Sequence, residues 1–170
     1  MARKHVLIAA AVLGVAAGIA VSAALAAFRT APRAPDAGAF AAHVVELIAS
    51  NRYDDAWTLL HPLHQSLAPR AEYVGCENAE PIPGHLESVR VLREFEERTP
   101  LGTGTFANSE AVVVRIAIGG GPGAPVVVTD TVHAIDVHGQ WRWIMPPARV
   151  QAYSSGRCPD GSPPPSDTAA

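Results

Sequence analysis

Ala111-Val112-Val113-Val114-Arg115-Ile116-Ala117-Ile118-Gly119 decides how the chain is read. Val112, Val114, Ile116 and Ile118 share one parity; Ala111, Val113, Arg115 and Ala117 share the other. A period of two with β-branched residues on one side predicts a strand whose larger face is buried. Outward from it, Gly119-Gly120-Gly121-Pro122-Gly123 is a turn, and Val126 to Val137 is the next strand. His138-Gly139 then makes a tight hairpin, because glycine accepts a positive φ. The last strand is expected from Gln140 to about Val150, with Trp141 and Trp143 on one face and Pro146 and Pro147 bending it or confining it to an edge. Upstream, His85 to Arg98 places Val89, Val91 and Phe95 on one parity. Four consecutive strands joined by turns predict an antiparallel meander.

Before Pro81 and Pro83-Gly84 the period changes. Phe40, Val44, Leu47 and Ile48 form an apolar helical stripe, with Asp36 as cap and Asn51 as stop. A second helix starts near Asp54, puts Tyr53, Ala56, Trp57 and Leu60 on one face, and is expected to end at Pro62. A third is expected from about Pro69 to Asn78, with Ala71, Val74 and Cys76 inward. The fold class is therefore α+β: three N-terminal helices packed on a curved four-stranded antiparallel sheet.

The chain has 170 residues, 13 Lys+Arg against 16 Asp+Glu and a formal charge of −3. Lys4 is the single lysine. No basic stripe is present, so nucleic acid is excluded as a partner. Arg3 and Lys4 precede a charge-free apolar run, Val6 to Phe28, closed by Arg29. That pattern is an export address. Two outcomes stay open. A signal peptide would be cut near Ala24-Leu25-Ala26; an uncleaved segment would cross the membrane through residues 6–28, with the rest of the chain outside the cytoplasm by the positive-inside rule. The division is thus 1–28 signal peptide or anchor helix, 29–35 linker, 36–153 folded domain, and 154–170 flexible Pro/Gly/Ser-rich tail.

Asn51-Arg52-Tyr53-Asp54-Asp55-Ala56-Trp57-Thr58-Leu59-Leu60-His61-Pro62 resembles the second-helix signature of nuclear transport factor 2-like, or cystatin-like cone, domains. Asp136-Val137-His138-Gly139-Gln140-Trp141-Arg142-Trp143 is similar to their closing hairpin. The resemblance covers residues 36–153 and implies a cone-shaped domain. The superfamily holds isomerases, dehydratases and cyclases beside many non-catalytic binding and assembly modules, so it carries no single activity.

Candidate chemistry is sparse. Cys76 and Cys158 are the only cysteines, and outside the cytoplasm an even count favours a disulfide over two free thiols. His61 and His64, three apart, are candidate metal ligands, but a zinc site needs further ligands; the alternative is a histidine capping the second helix's C-terminus and another on the surface. His43, His85 and His138 form no pattern. Asp130 and His133 are the candidate acid and base, yet their spacing sends them to opposite sheet faces. Asp130 alone could be a desolvated base, or could pair with Arg115 or Arg142. The run Glu94, Glu96 and Glu97 with Arg90, Arg93 and Arg98 is expected to be solvated, and Trp57, Trp141 and Trp143 line either a cavity or the core. No cofactor is expected.

The leading expectation is a non-enzymatic extracytoplasmic domain, held at the membrane or secreted, that binds a small apolar ligand or an envelope partner protein. Alternatives are a small lyase or isomerase using an acid or histidine in the cone, and a structural module forming a homodimer through the outer sheet face, where Val113 and Ala117 lie.

Overall fold

The computed structural model describes residues 36–102, 104–120 and 123–165. They fall in the second of two units into which the chain divides, Ala34–Ala170. The expected anchor or signal, 1–28, and linker, 29–35, lie outside the described residues. No helix among those described is long and apolar enough to cross a membrane.

Helix α1, Ala37–Ala49, begins where expected: the Asp36 carboxylate accepts from the Gly38 N–H at 3.1 Å. Its buried face is wider than the stripe read from sequence. Ala37, Ala41 and Val45 pack against Val112, Val114 and Ile116, while Val44 joins a second cluster with Tyr53, Leu60, Tyr73 and Trp143. Phe40 and Ile48 are half-buried at its margin. Glu94, from the run expected to be solvated, also accepts from Gly38 N–H at 3.1 Å. A carboxylate suits this site because a helix N-terminus carries partial positive charge.

Helix α2, Tyr53–Thr58, ends before Pro62. Leu60 then bridges to Trp143 in a parallel sense; His61 N–H donates to Trp143 O at 2.8 Å and Trp143 N–H to Leu59 O at 3.1 Å. Pro62 does not stop a helix but opens one, α3, Pro62–Leu67. Proline tolerates the first turn because the N–H it lacks would be unpaired there. Helix α4, Arg70–Ala79, lies close to the expected third helix. Asn51, with φ 57°, reverses the chain after α1; its side chain accepts from Ile82 N–H at 2.8 Å and from Tyr53 hydroxyl at 2.6 Å, tying down the approach to the sheet.

The sheet is the expected antiparallel meander in the order β1-β2-β3-β4: β1 His85–Gly102, β2 Thr105–Gly119, β3 Val126–Val137 and β4 Gln140–Ile144. Three register shifts interrupt β1, and such bulges bend a strand. One falls between Val91 and Arg93, so Val89 and Val91 lie opposite Ile116 and Val114 while Phe95 lies opposite Ala111. Phe95 is therefore on the other face from the two valines, which corrects the single parity read from sequence. The last strand stops at Ile144 instead of Val150, and Pro147 opens a fifth helix, α5, Pro147–Ser154. The architecture is α+β, with four helices before the sheet and one after it rather than three before it.

The described part of the expected flexible tail, 154–165, is held to the domain at Cys158. Cys158 is 2% exposed and is disulfide-bonded to Cys76 of α4, with Cα atoms 5.4 Å apart. Beside that bond, Glu77 is buried, pairs with Arg149 of α5 and accepts from the Tyr153 hydroxyl at 3.1 Å. Covalent and ionic links together fasten α5 onto α4.

Candidate functional site

The two histidines expected as metal ligands are both committed to the backbone. His61 is the N-cap of α3, and its Nδ1 accepts from Leu63 N–H at 3.2 Å; it does not cap the C-terminus of the helix before it. His64 is fully buried. Its Nδ1 accepts from Met145 N–H at 2.9 Å, so Nε2 carries the proton and donates to Leu101 O at 3.0 Å. With both nitrogens used, the ring joins α3, the end of β1 and the end of β4. Burial pushes the pKa of His64 down, against the Leu101 carbonyl, and that of His61 down as well, with the Arg142 charge adding to the effect. No group of three or more metal-ligating side chains occurs among the described residues.

Asp130 and His133 lie on opposite faces of β3, as their spacing predicts. Asp130 sits opposite Val114 and His133 opposite Ala111. Asp130 is exposed, and its carboxylate accepts from the neighbouring Thr131 N–H at 2.7 Å. Neither expected arginine pairs with it: Arg142 donates to Thr58 O and Gln140 Oε1, and Arg115 belongs to the other face. His133 instead meets two hydroxyls that the sequence did not single out. Its Nδ1 lies 3.1 Å from Thr99 Oγ1 and 3.2 Å from Ser109 Oγ, and the two oxygens are 2.7 Å apart. Thr99 and Ser109 are both buried. Burial lowers the His133 pKa, offset by the charges of Glu97 and Asp130. A histidine beside a serine has the composition of a nucleophile and its base. Here the Ser109 hydroxyl has Glu97 O at 3.2 Å as a further acceptor beside Thr99 and His133, and its burial keeps the oxygen from a substrate. The cluster fastens β1, β2 and β3 together.

The tryptophans belong to the core and its borders. Trp143 is 4% exposed and donates to Ala56 O at 2.8 Å; Trp57 donates to Ala68 O at 2.9 Å. A groove of about 360 Å³ runs between α1 and the start of β1, lined by His43, Glu46, Ser50, Arg52, Glu87 and Leu86 among others. Its walls are mainly polar. On the outer sheet face, Val113 is 9% exposed and Ala117 half-buried, and directly opposite residues there include Arg90 with Arg115 and Arg93 with Val113.

Among the described residues the exposed large apolar side chains are Leu92, Phe95 and Phe106, and a run of three at the start of β3. Val126, Val127 and Val128 are 65%, 45% and 43% exposed. β4 pairs with His133–Val137, so residues 126–132 have β2 on one side and, among the described residues, no strand on the other. The direction of their backbone groups follows from the hairpin. The turn His138-Gly139, with φ 57° and 82°, closes on the pair Val137 and Gln140, a two-residue connection that hydrogen-bonds the closing pair. Backbone direction alternates along an antiparallel strand. The N–H and C=O of Thr131, Thr129 and Val127 therefore point away from β2 to the open edge, and the Thr131 N–H is partly occupied there by Asp130.

A scan against protein-family models matches none, and comparisons with curated proteins and with solved structures also find no match.

Proposed function

We propose that this chain is a nuclear transport factor 2-like domain directed out of the cytoplasm, and that it binds a partner protein of the cell envelope without catalysing a reaction. One observation carries the reading. His61, His64, Ser109 and Thr99 are spent on the backbone, on one another or on His133, while the exposed large apolar side chains include three consecutive valines on an open strand edge. A row of unpaired backbone groups flanked by apolar side chains is a template for another chain. The helix side of the sheet is occupied by α1 side chains, which favours a protein partner over a small apolar ligand. The apolar run Val6 to Phe28 and the disulfide support a place outside the cytoplasm.

Complementation of a deletion strain in the native host tests this. Asp130→Asn and His133→Ala should both retain the wild-type phenotype. Loss of the phenotype in either variant, with its circular dichroism unchanged, contradicts the binding reading and favours chemistry at that residue.

A further inference from the structure

From the cross-strand register we infer that the open edge of β3 accepts an extended strand of the partner, and that this strand places a carboxylate over Arg115. The inference rests on the partner-binding reading and gives the partner a chemistry. Arg90, Arg115 and Thr129 stand directly opposite one another across β1, β2 and β3 and so share the outer face. All three are exposed. Like charges directly opposite each other destabilise a sheet, and neither arginine has an ion-pair partner among the described residues. Thr129 is also one of the residues whose backbone turns to the open edge. A strand docked there continues the row, and its residue opposite Thr129 lies about 10 Å, two strand spacings, from the Arg115 backbone. An arginine and a glutamate span that distance, and the guanidinium fork matches a carboxylate.

The other face sets the second requirement. Val126, Val128 and Asp130 point there and are exposed, so the docked strand is apolar where it meets the two valines. The alternation of an acidic outer position with apolar inner positions defines the occupant. A second copy of this chain does not meet it. In an antiparallel pairing of β3 with itself across the edge, faces are conserved, and the carboxylates Asp130 and Asp136 stay on the face away from Arg115. The opposite edge of the sheet is a poor competitor, because β1 carries Arg90, Arg93, Glu94, Glu96, Glu97 and Arg98 along three register shifts, features that discourage strand addition.

The test uses the purified full chain in a mild detergent and two labelled peptides of alternating valine and threonine. One has its central threonine replaced by glutamate, the other by lysine. Fluorescence anisotropy should show the glutamate peptide binding at least about tenfold tighter than its twin, since a like-charge contact is penalised. Arg115→Glu should reverse that order. Val127→Pro removes an outward N–H and should weaken the glutamate peptide by about tenfold or more. Val128→Lys leaves the backbone ladder intact and should weaken both peptides. Absent binding of the glutamate peptide, equal affinity for the twins, or indifference to both Val127→Pro and Val128→Lys overturns the inference. So does a concentration-dependent dimer in sedimentation that Val128→Lys dissolves, because the edge then belongs to a second copy. None of these failures alters the complementation result, which tests partner binding against chemistry separately.

Discussion

The two halves of β3 differ in what covers them. From His133 to Val137 the strand has neighbours on both sides, and Ala134 and Ile135 are buried. β4 beyond it is itself covered at Leu60, and His64, Trp143 and the α4–α5 fastening stand behind that corner. From Val126 to Asp130 the same strand is bare on one side and exposed. Composition does not explain the contrast, since the bare half is the richer in valine. The difference comes from where β4 stops. Pro147 turns the chain into α5 after five residues of strand, too soon to cover the start of β3. A domain can thus concentrate its stabilising contacts at one corner and leave a strand edge free for a partner.

The locked half can be broken in graded steps. Removing the disulfide by Cys76→Ala with Cys158→Ala should have the largest effect. The bond spans 82 residues, for which the chain-entropy relation gives roughly 4–5 kcal/mol of lost stability, before any strain is subtracted. Urea unfolding with the wild-type chain as reference measures it. Glu77→Ala should come next. It leaves Arg149 without its partner and the Tyr153 hydroxyl without its acceptor. The Arg149 side chain stays 36% exposed, so the cost should lie near the lower end of the range for broken buried pairs, about 3 kcal/mol. Both variants should leave peptide affinity at the open edge nearly unchanged at temperatures where they remain folded, because they touch only the locked corner.

A smaller effect concerns pH. His64 is buried neutral, and its folded pKa lies below the ordinary 6.5. Below that value the unfolded chain binds a proton that the folded chain does not. Stability should therefore be full above about pH 6.5 and fall as the pH drops toward the folded pKa. His61 and His133 are shifted the same way and add to the slope. Thermal melts across pH 5 to 8 should show the decline, and His64→Asn should flatten it while lowering the melting temperature throughout. A slope of the opposite sign would mean that His64 is charged in the folded state.

Much of this was legible in the sequence, for physical reasons that can be named. Val112, Val114, Ile116 and Ile118 alternate because α1 covers one side of β2. His138-Gly139 reads as a hairpin because both residues must adopt positive φ. Cys76 and Cys158 have only each other. The errors cluster at proline. The sequence pattern predicts an end at Pro62 and a bend or edge at Pro147, but each begins a helix. A proline disrupts a helix interior and suits a first turn, so its position within the element decides its effect, and a short window does not reveal that position. The Thr99, Ser109 and His133 contact joins three strands diagonally, Thr99 lying opposite Ala107, Ser109 opposite Glu97 and His133 opposite Ala111, and has no local signature. The open edge was equally hidden, because it depends on the length of β4, a strand that follows it in the chain.

Residue-resolved amide hydrogen exchange along β3 of the native full chain examines the contrast most directly. The amides of Val127 and Thr129 should exchange as solvent-facing groups, orders of magnitude faster than those of His133 and Ile135, which should approach the protection of global unfolding. Strong protection at Val127 and Thr129 would show that the edge is already covered and would contradict its role as the docking site.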